Sequence, residues 1–107
     1  MESILSTDKS VCYACGKLVR HPQLHHIFFG KNRKISDKEG LTCYLCENCH
    51  RGTYGVHGRE GHDLDVQLKE DAQEAWELKF KESYPYENHA DEAAREAFIQ
   101  LLGKNYL

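Results

Sequence analysis

The chain has 107 residues, 40% of them hydrophobic and 29% charged, with a net charge of −3. Such a length bounds it to one small domain, which buries only about 60–70% of its unfolded surface, so a metal staple meets a real need. No apolar run approaches the roughly 18–20 residues that span a bilayer, and Met1–Ser10 lacks the apolar stretch of a secretory signal. These absences set the expectation of a cytoplasmic protein with no membrane association.

Charge is unevenly spread. From Lys9 to Arg59 nine Lys/Arg face three Asp/Glu, a local balance of +6; from Glu60 to Leu107 five face twelve, a balance of −7. A basic half suits a polyanion such as DNA.

Residues 1–10 read as a polar, flexible lead-in. Cys12-Tyr13-Ala14-Cys15 then forms the first of two Cys-x-x-Cys pairs, with Gly16 supplying permissive backbone for the turn. Leu24–Phe29 is rich in β-formers and reads as a strand. Gly30–Gly40 is polar and basic and reads as the loop of a long hairpin, with Leu41–Leu45 as the return strand. The second pair follows in Cys46-Glu47-Asn48-Cys49-His50 and is expected to open a short helix at Cys49–His50.

Two residues between thiolates let both sulfurs face one ion, so Cys12, Cys15, Cys46 and Cys49 are expected to hold a structural Zn²⁺. In reducing cytosol such pairs serve metals more often than disulfides, and an odd count of five cysteines fits no simple disulfide framework. Cys43 is expected in the core.

Glycines at 52, 55, 58 and 61 forbid a long helix there. Two helices should fill the tail, residues 63–107. Asp63 can cap the first, whose stripe is Leu64, Leu68, Ala72, Ala75, Trp76 and Phe80. Pro85 breaks the chain. Asn88 can cap the second, whose stripe runs Ala90, Ala94, Ala97, Phe98, Leu101 and Leu102 until Gly103 stops it.

Four thiolates already fill a structural zinc, so the histidines beside them need another role. His25-His26-Ile27, the run Tyr44–His50 and downstream His57 together resemble the HNH endonucleases, the ββα-metal or His-Me finger group. The motif match covers residues 12–57. The tail from Leu64 also looks like small phage-encoded members of this group, some of them linked to recombination.

The resemblance implies an α+β fold: a small zinc-bound, treble-clef-like ββα-metal core over residues 11–62, followed by the helical tail. It implies a metal-dependent endonuclease or nickase acting as a monomer or homodimer, with DNA and recombination or other DNA-processing proteins as partners. In the family the first residue of the doublet binds the catalytic metal and the second activates water, which assigns His25 as ligand and His26 as general base. His50 would be a second ligand and His57 a third.

In one continuous helix His50 and His57 would stand about 10 Å apart, too far for one ion. Gly52 and Gly55 let the chain fold back, and His62 is the substitute. Imidazole ligands suit Mn²⁺, Ni²⁺ or Zn²⁺ at least as well as Mg²⁺. Arg33, Lys34 and Arg51 are candidates for DNA phosphates. The family's central asparagine is absent before the second Cys pair, where Gly40-Leu41-Thr42 stands, leaving Asn32 or Asn48 for its bracing role. The alternative is a non-catalytic zinc adapter for nucleic acid or protein.

Overall fold

A computed structural model describes residues 1–107. Its elements run β1 (Gln23–His26), α1 (Arg33–Glu39), β2 (Thr42–Leu45), α2 (Glu47–Arg51), α3 (His62–Ser83) and α4 (Ala90–Leu102). Short 3₁₀ turns at Gly30–Asn32 and Glu87–His89 precede α1 and α4. The architecture is α+β: one two-stranded antiparallel sheet and four helices. No helix is long and apolar enough to cross a membrane.

The sheet pairs Gln23 with Leu45, Leu24 with Tyr44, His25 with Cys43 and His26 with Thr42. β1 stops three residues short of the expected strand. Beyond His26 the chain leaves the ladder, so consecutive Ile27 and Phe28 are both buried instead of alternating.

The expected hairpin loop is a correction: residues 30–40 form a 3₁₀ turn and α1. Ser36, fully buried, anchors this helix to the strand end. Its Oγ accepts from Phe28 N at 3.0 Å and donates to Phe28 O at 2.7 Å. Gly40 closes the helix in the left-handed conformation at φ +71°, and its N–H bonds Ser36 O. A Cβ there would also meet the backbone oxygen of Glu2.

Residues 3–6 follow the free side of β2. Ile4 N bonds Gly40 O at 2.9 Å, Tyr44 N bonds Ser6 Oγ at 3.0 Å, and Ser3 Oγ donates to Thr42 O. These bonds cover an edge that would otherwise leave strand donors and acceptors unpaired.

In the tail, both expected side-chain caps are absent. α3 begins one residue before Asp63 with Gly61 at its N-cap, and α4 begins at Ala90 with His89 at its N-cap. Asp63 lies in the first turn of α3, where a carboxylate still complements the helix dipole. Gly103, at φ +81°, ends α4 as expected.

The core joins Leu41, Cys43, Leu45, Leu68, Ala72, Phe98 and Leu102 into one cluster. α3 also buries Gln73 and Glu77, polar residues on its inner face. Gln73 donates to Glu77 Oε2 and Asn105 Oδ1 and accepts from Tyr106 N, while Arg95 of α4 donates to Glu77 at 2.7 Å. Every buried partner is answered, so the network latches residues 105–106 onto α3.

Trp76 stacks on Phe80 and meets Phe98 edge-on at 5.6 Å, and its Nε1 donates to Glu39 Oε1 at 3.0 Å. It thus ties α3 to both α4 and α1. Trp76→Ala is expected to cost about 3 kcal/mol. For a domain of this size the melting temperature should then fall by roughly 10–20 °C; an unchanged melting curve would show that these contacts carry no stability.

Candidate metal centres

The first centre is built by two short backbone devices. Cys12 opens a tight knuckle in which Gly16 N bonds Cys12 O at 2.8 Å and Cys12 N bonds Lys17 O at 2.9 Å, with Gly16 at φ +77°. Cys46 is the N-cap residue of α2, and its sulfur accepts from Cys49 N at 3.4 Å. The four sulfurs of Cys12, Cys15, Cys46 and Cys49 lie within 4.8 Å of one another, and Cys15 Sγ is 3.9 Å from Cys46 Sγ. A tetrahedron with Zn–S near 2.3 Å has edges of about 3.8 Å, so the set fits zinc.

Thiol chemistry agrees. Burial opposes ionisation of Cys12, but backbone N–H groups of Cys15, Cys46 and Ala14 outweigh it and hold its thiol down to about 6. Cys49 is pushed up by burial and by the neighbouring thiols Cys46, Cys12 and Cys15. Four clustered sulfurs cannot all ionise without a cation between them. Cys43 stands apart, fully buried on β2, and burial raises it to about 12, as expected of a core thiol.

The second centre adjoins the first through α2. His50 follows Cys49 directly, and the glycine-rich segment returns His57 beside it. Val56 N bonds Cys49 O at 2.9 Å and His57 N bonds His50 O at 3.0 Å. Gly55 makes this return possible: a Cβ there would sit 2.5 Å from Asn48 O and 2.7 Å from Cys49 O. Across the gap, β1 supplies His25. Ring nitrogens of His25, His50 and His57 lie within 4.8 Å of one another, with ring centroids 4.9–5.3 Å apart. His62, the substitute for His57, is exposed at the start of α3 and stands outside this set.

These imidazoles are suited to ligation. His25 is 1% exposed, and its Nε2 has no hydrogen-bond partner, a costly state for a buried polar atom unless a ligand answers it. Burial, then the facing His50 and His57, pushes His25 down to about 3. Burial, with His57 and Arg51, lowers His50 as well. Both rings are therefore neutral, with lone pairs available, at physiological pH.

Gln23, which nothing in the sequence singled out, braces the site from β1. Its Oε1 lies 2.6 Å from His50 Nδ1. With the amide oxygen accepting, the proton sits on Nδ1 and leaves Nε2 free to ligate. Phe29 walls the other side, its ring 5.4 Å from His57 and 6.2 Å from His25, with Lys69 Nζ 5.0 Å above it. His57 is exposed, so the triad opens to solvent. Three imidazole ligands with an open side can bind a cation and leave positions for water or substrate.

His26 is not part of the triad. It occupies the next position on β1, and its Nε2 lies 3.4 Å from Asp37 Oδ1 of α1. Asp37, rather than Asn32 or Asn48, is the side chain set against this imidazole. A proton on Nε2 facing the carboxylate leaves Nδ1 as the basic atom. Arg33 and Lys34 project from the exposed face of α1, and Arg51 is exposed at the end of α2.

No family model, curated protein or solved structure matches the chain.

Proposed function

We propose that the protein is a metal-dependent DNA endonuclease or nickase of the HNH type, with β1, β2 and α2 as a ββα-metal, treble-clef-like unit clipped by zinc and α1 inserted between the strands. The convergence of His25, His50 and His57 beside a Cys₄ cluster carries this reading, because a structural zinc alone needs no second set of imidazole ligands with an open side.

An ion on the triad would act as a Lewis acid toward the scissile phosphate and the departing oxygen. His25, His50 and His57 are the residues that would hold it, with Gln23 fixing the tautomer of His50. His26 takes the proton from the attacking water, whose oxygen forms the new bond to phosphorus as the bond to the leaving ester oxygen breaks. Asp37, 3.4 Å from the opposite nitrogen, orients the ring. Arg33 and Lys34, exposed on the helix that carries Asp37, would meet flanking phosphates.

The test is nicking of supercoiled plasmid by zinc-loaded protein with Mg²⁺, Mn²⁺, Ni²⁺ or added Zn²⁺. Cleavage is expected with at least one borderline ion and should disappear when His50 is replaced by Ala. If no ion supports cleavage of any DNA form, the zinc-adapter reading replaces this one.

A further inference from the structure

We propose that the groove between the first cysteine knuckle and α2 is a second DNA-contact surface, binding the sugar–phosphate backbone of duplex DNA as it enters the histidine site. The inference rests on the nuclease reading for its partner, but Lys17, Arg20 and His21 play no part in that reading. The groove measures about 670 Å³. Its walls carry Lys17, Arg20 and His21 from the chain after the knuckle, and Arg51 from the end of α2. All four are exposed.

Their charges are uncompensated. No carboxylate lies within ion-pair distance of Lys17, Arg20 or Arg51, and Glu47 is the single acid on the groove wall. In the tail Lys69, Lys81 and Arg95 are paired, with Asp65, Asp91 and Glu77, and only Lys79 and Lys104 are not. A cation cluster left unpaired beside a metal centre has the charge pattern that phosphates complete.

The groove adjoins the histidine site through Gln23 and Arg51. Gln23 lines it and bonds His50 Nδ1 at 2.6 Å, and Arg51 is the next residue after His50. A strand held here would pass within one side chain of the triad.

The lining also indicates which part of DNA is held. No Phe, Tyr or Trp faces the groove, and its one aromatic ring is the exposed imidazole of His21, so it lacks the row of large aromatic rings on which successive unpaired bases stack. The exposed aliphatic Leu18 on the rim offers apolar contact to sugars. Long flexible cations without large aromatic rings beside them favour backbone contacts, hence binding that is indifferent to sequence.

The decisive measurement is the affinity of zinc-loaded protein for short labelled DNA duplexes of unrelated sequence over a salt series. Lys17→Glu/Arg20→Glu is expected to weaken binding on the order of ten-fold or more, and Lys17→Ala/Arg20→Ala to reduce the slope of log affinity against log salt by ~2. Both pairs are exposed side chains, and zinc content and circular dichroism should be unchanged. Lys79→Glu/Lys104→Glu, an equal charge change on the exposed tail, should have a smaller effect.

A groove variant that loses no more than the tail variant, with an unaltered slope, overturns the proposal while nicking by wild type leaves the nuclease reading standing. Conversely, groove-dependent binding without nicking under any ion upholds the groove and ends the nuclease reading. Wild-type protein that binds no duplex overturns both.

Discussion

Cys46→Ser should release the zinc and unfold the protein. Zinc sites of this class contribute on the order of 10 kcal/mol to folding, while whole domains are stable by only about 5–15 kcal/mol. Serine is itself a good N-cap, so the substitution keeps an acceptor for the first turn of α2 and isolates the loss of the metal ligand. α2 has five residues, too few to persist without tertiary support. Its collapse would release His50 and, through the carbonyls of Cys49 and His50, the segment that returns His57. Metal analysis should therefore show loss of binding at both centres, alongside loss of circular dichroism. A well-folded variant that still holds its zinc would show the ligand set to be wrong.

His26→Ala should abolish cleavage while fold, zinc content and DNA affinity stay nearly intact. The base acts as water is deprotonated, so its removal raises the barrier to chemistry and not the cost of binding; general-base contributions run about 10²–10⁴-fold. The His26 side chain is 15% exposed at the end of β1, so its truncation removes some packing, and unchanged circular dichroism and zinc content are the controls that separate this from loss of the base. His25→Ala is expected to act through the ion instead. It deletes one of three ligands, so activity should fall at low metal and recover in part as Mn²⁺ or Ni²⁺ is raised. Cleavage assays over a metal titration separate the two roles: His26→Ala should show no recovery. Equal rescue of both variants, or retained activity in His26→Ala, would remove His26 from the role of base.

Much of this arrangement is legible in local pattern, because the governing interactions span a few residues. Two matched Cys-x-x-Cys pairs place sulfurs on adjoining turns whatever surrounds them, and Gly16 and Gly103 occupy the left-handed positions their turns require. Apolar residues at three- and four-residue steps identify both tail helices and the burial of Leu68, Ala72, Ala94 and Phe98. Gly52 and Gly55 allow the chain to reverse after His50, as its spacing to His57 demands.

α1 escaped the same reading although Gly40 ends it in the usual way. Its window has one apolar residue, Ile35, and its buried contact is the hydroxyl of Ser36, which periodicity counts as polar. Gln73 and Glu77 are hidden for a related reason: their burial is tolerable only because Asn105, Tyr106 and Arg95 arrive from elsewhere to satisfy them.

The sequence by itself determined the ligand types, the zinc pairs and the division into a basic half and an acidic half. The tertiary structure decided which histidines converge, that Gln23 braces His50, that Asp37 faces His26, and that Lys17 and Arg20 meet Arg51 across a groove. Apart from His50 and His57, which are near in sequence, each of those juxtapositions joins residues 11 to 34 positions apart. Local propensity carries no information at that range; only the folded chain brings such partners together.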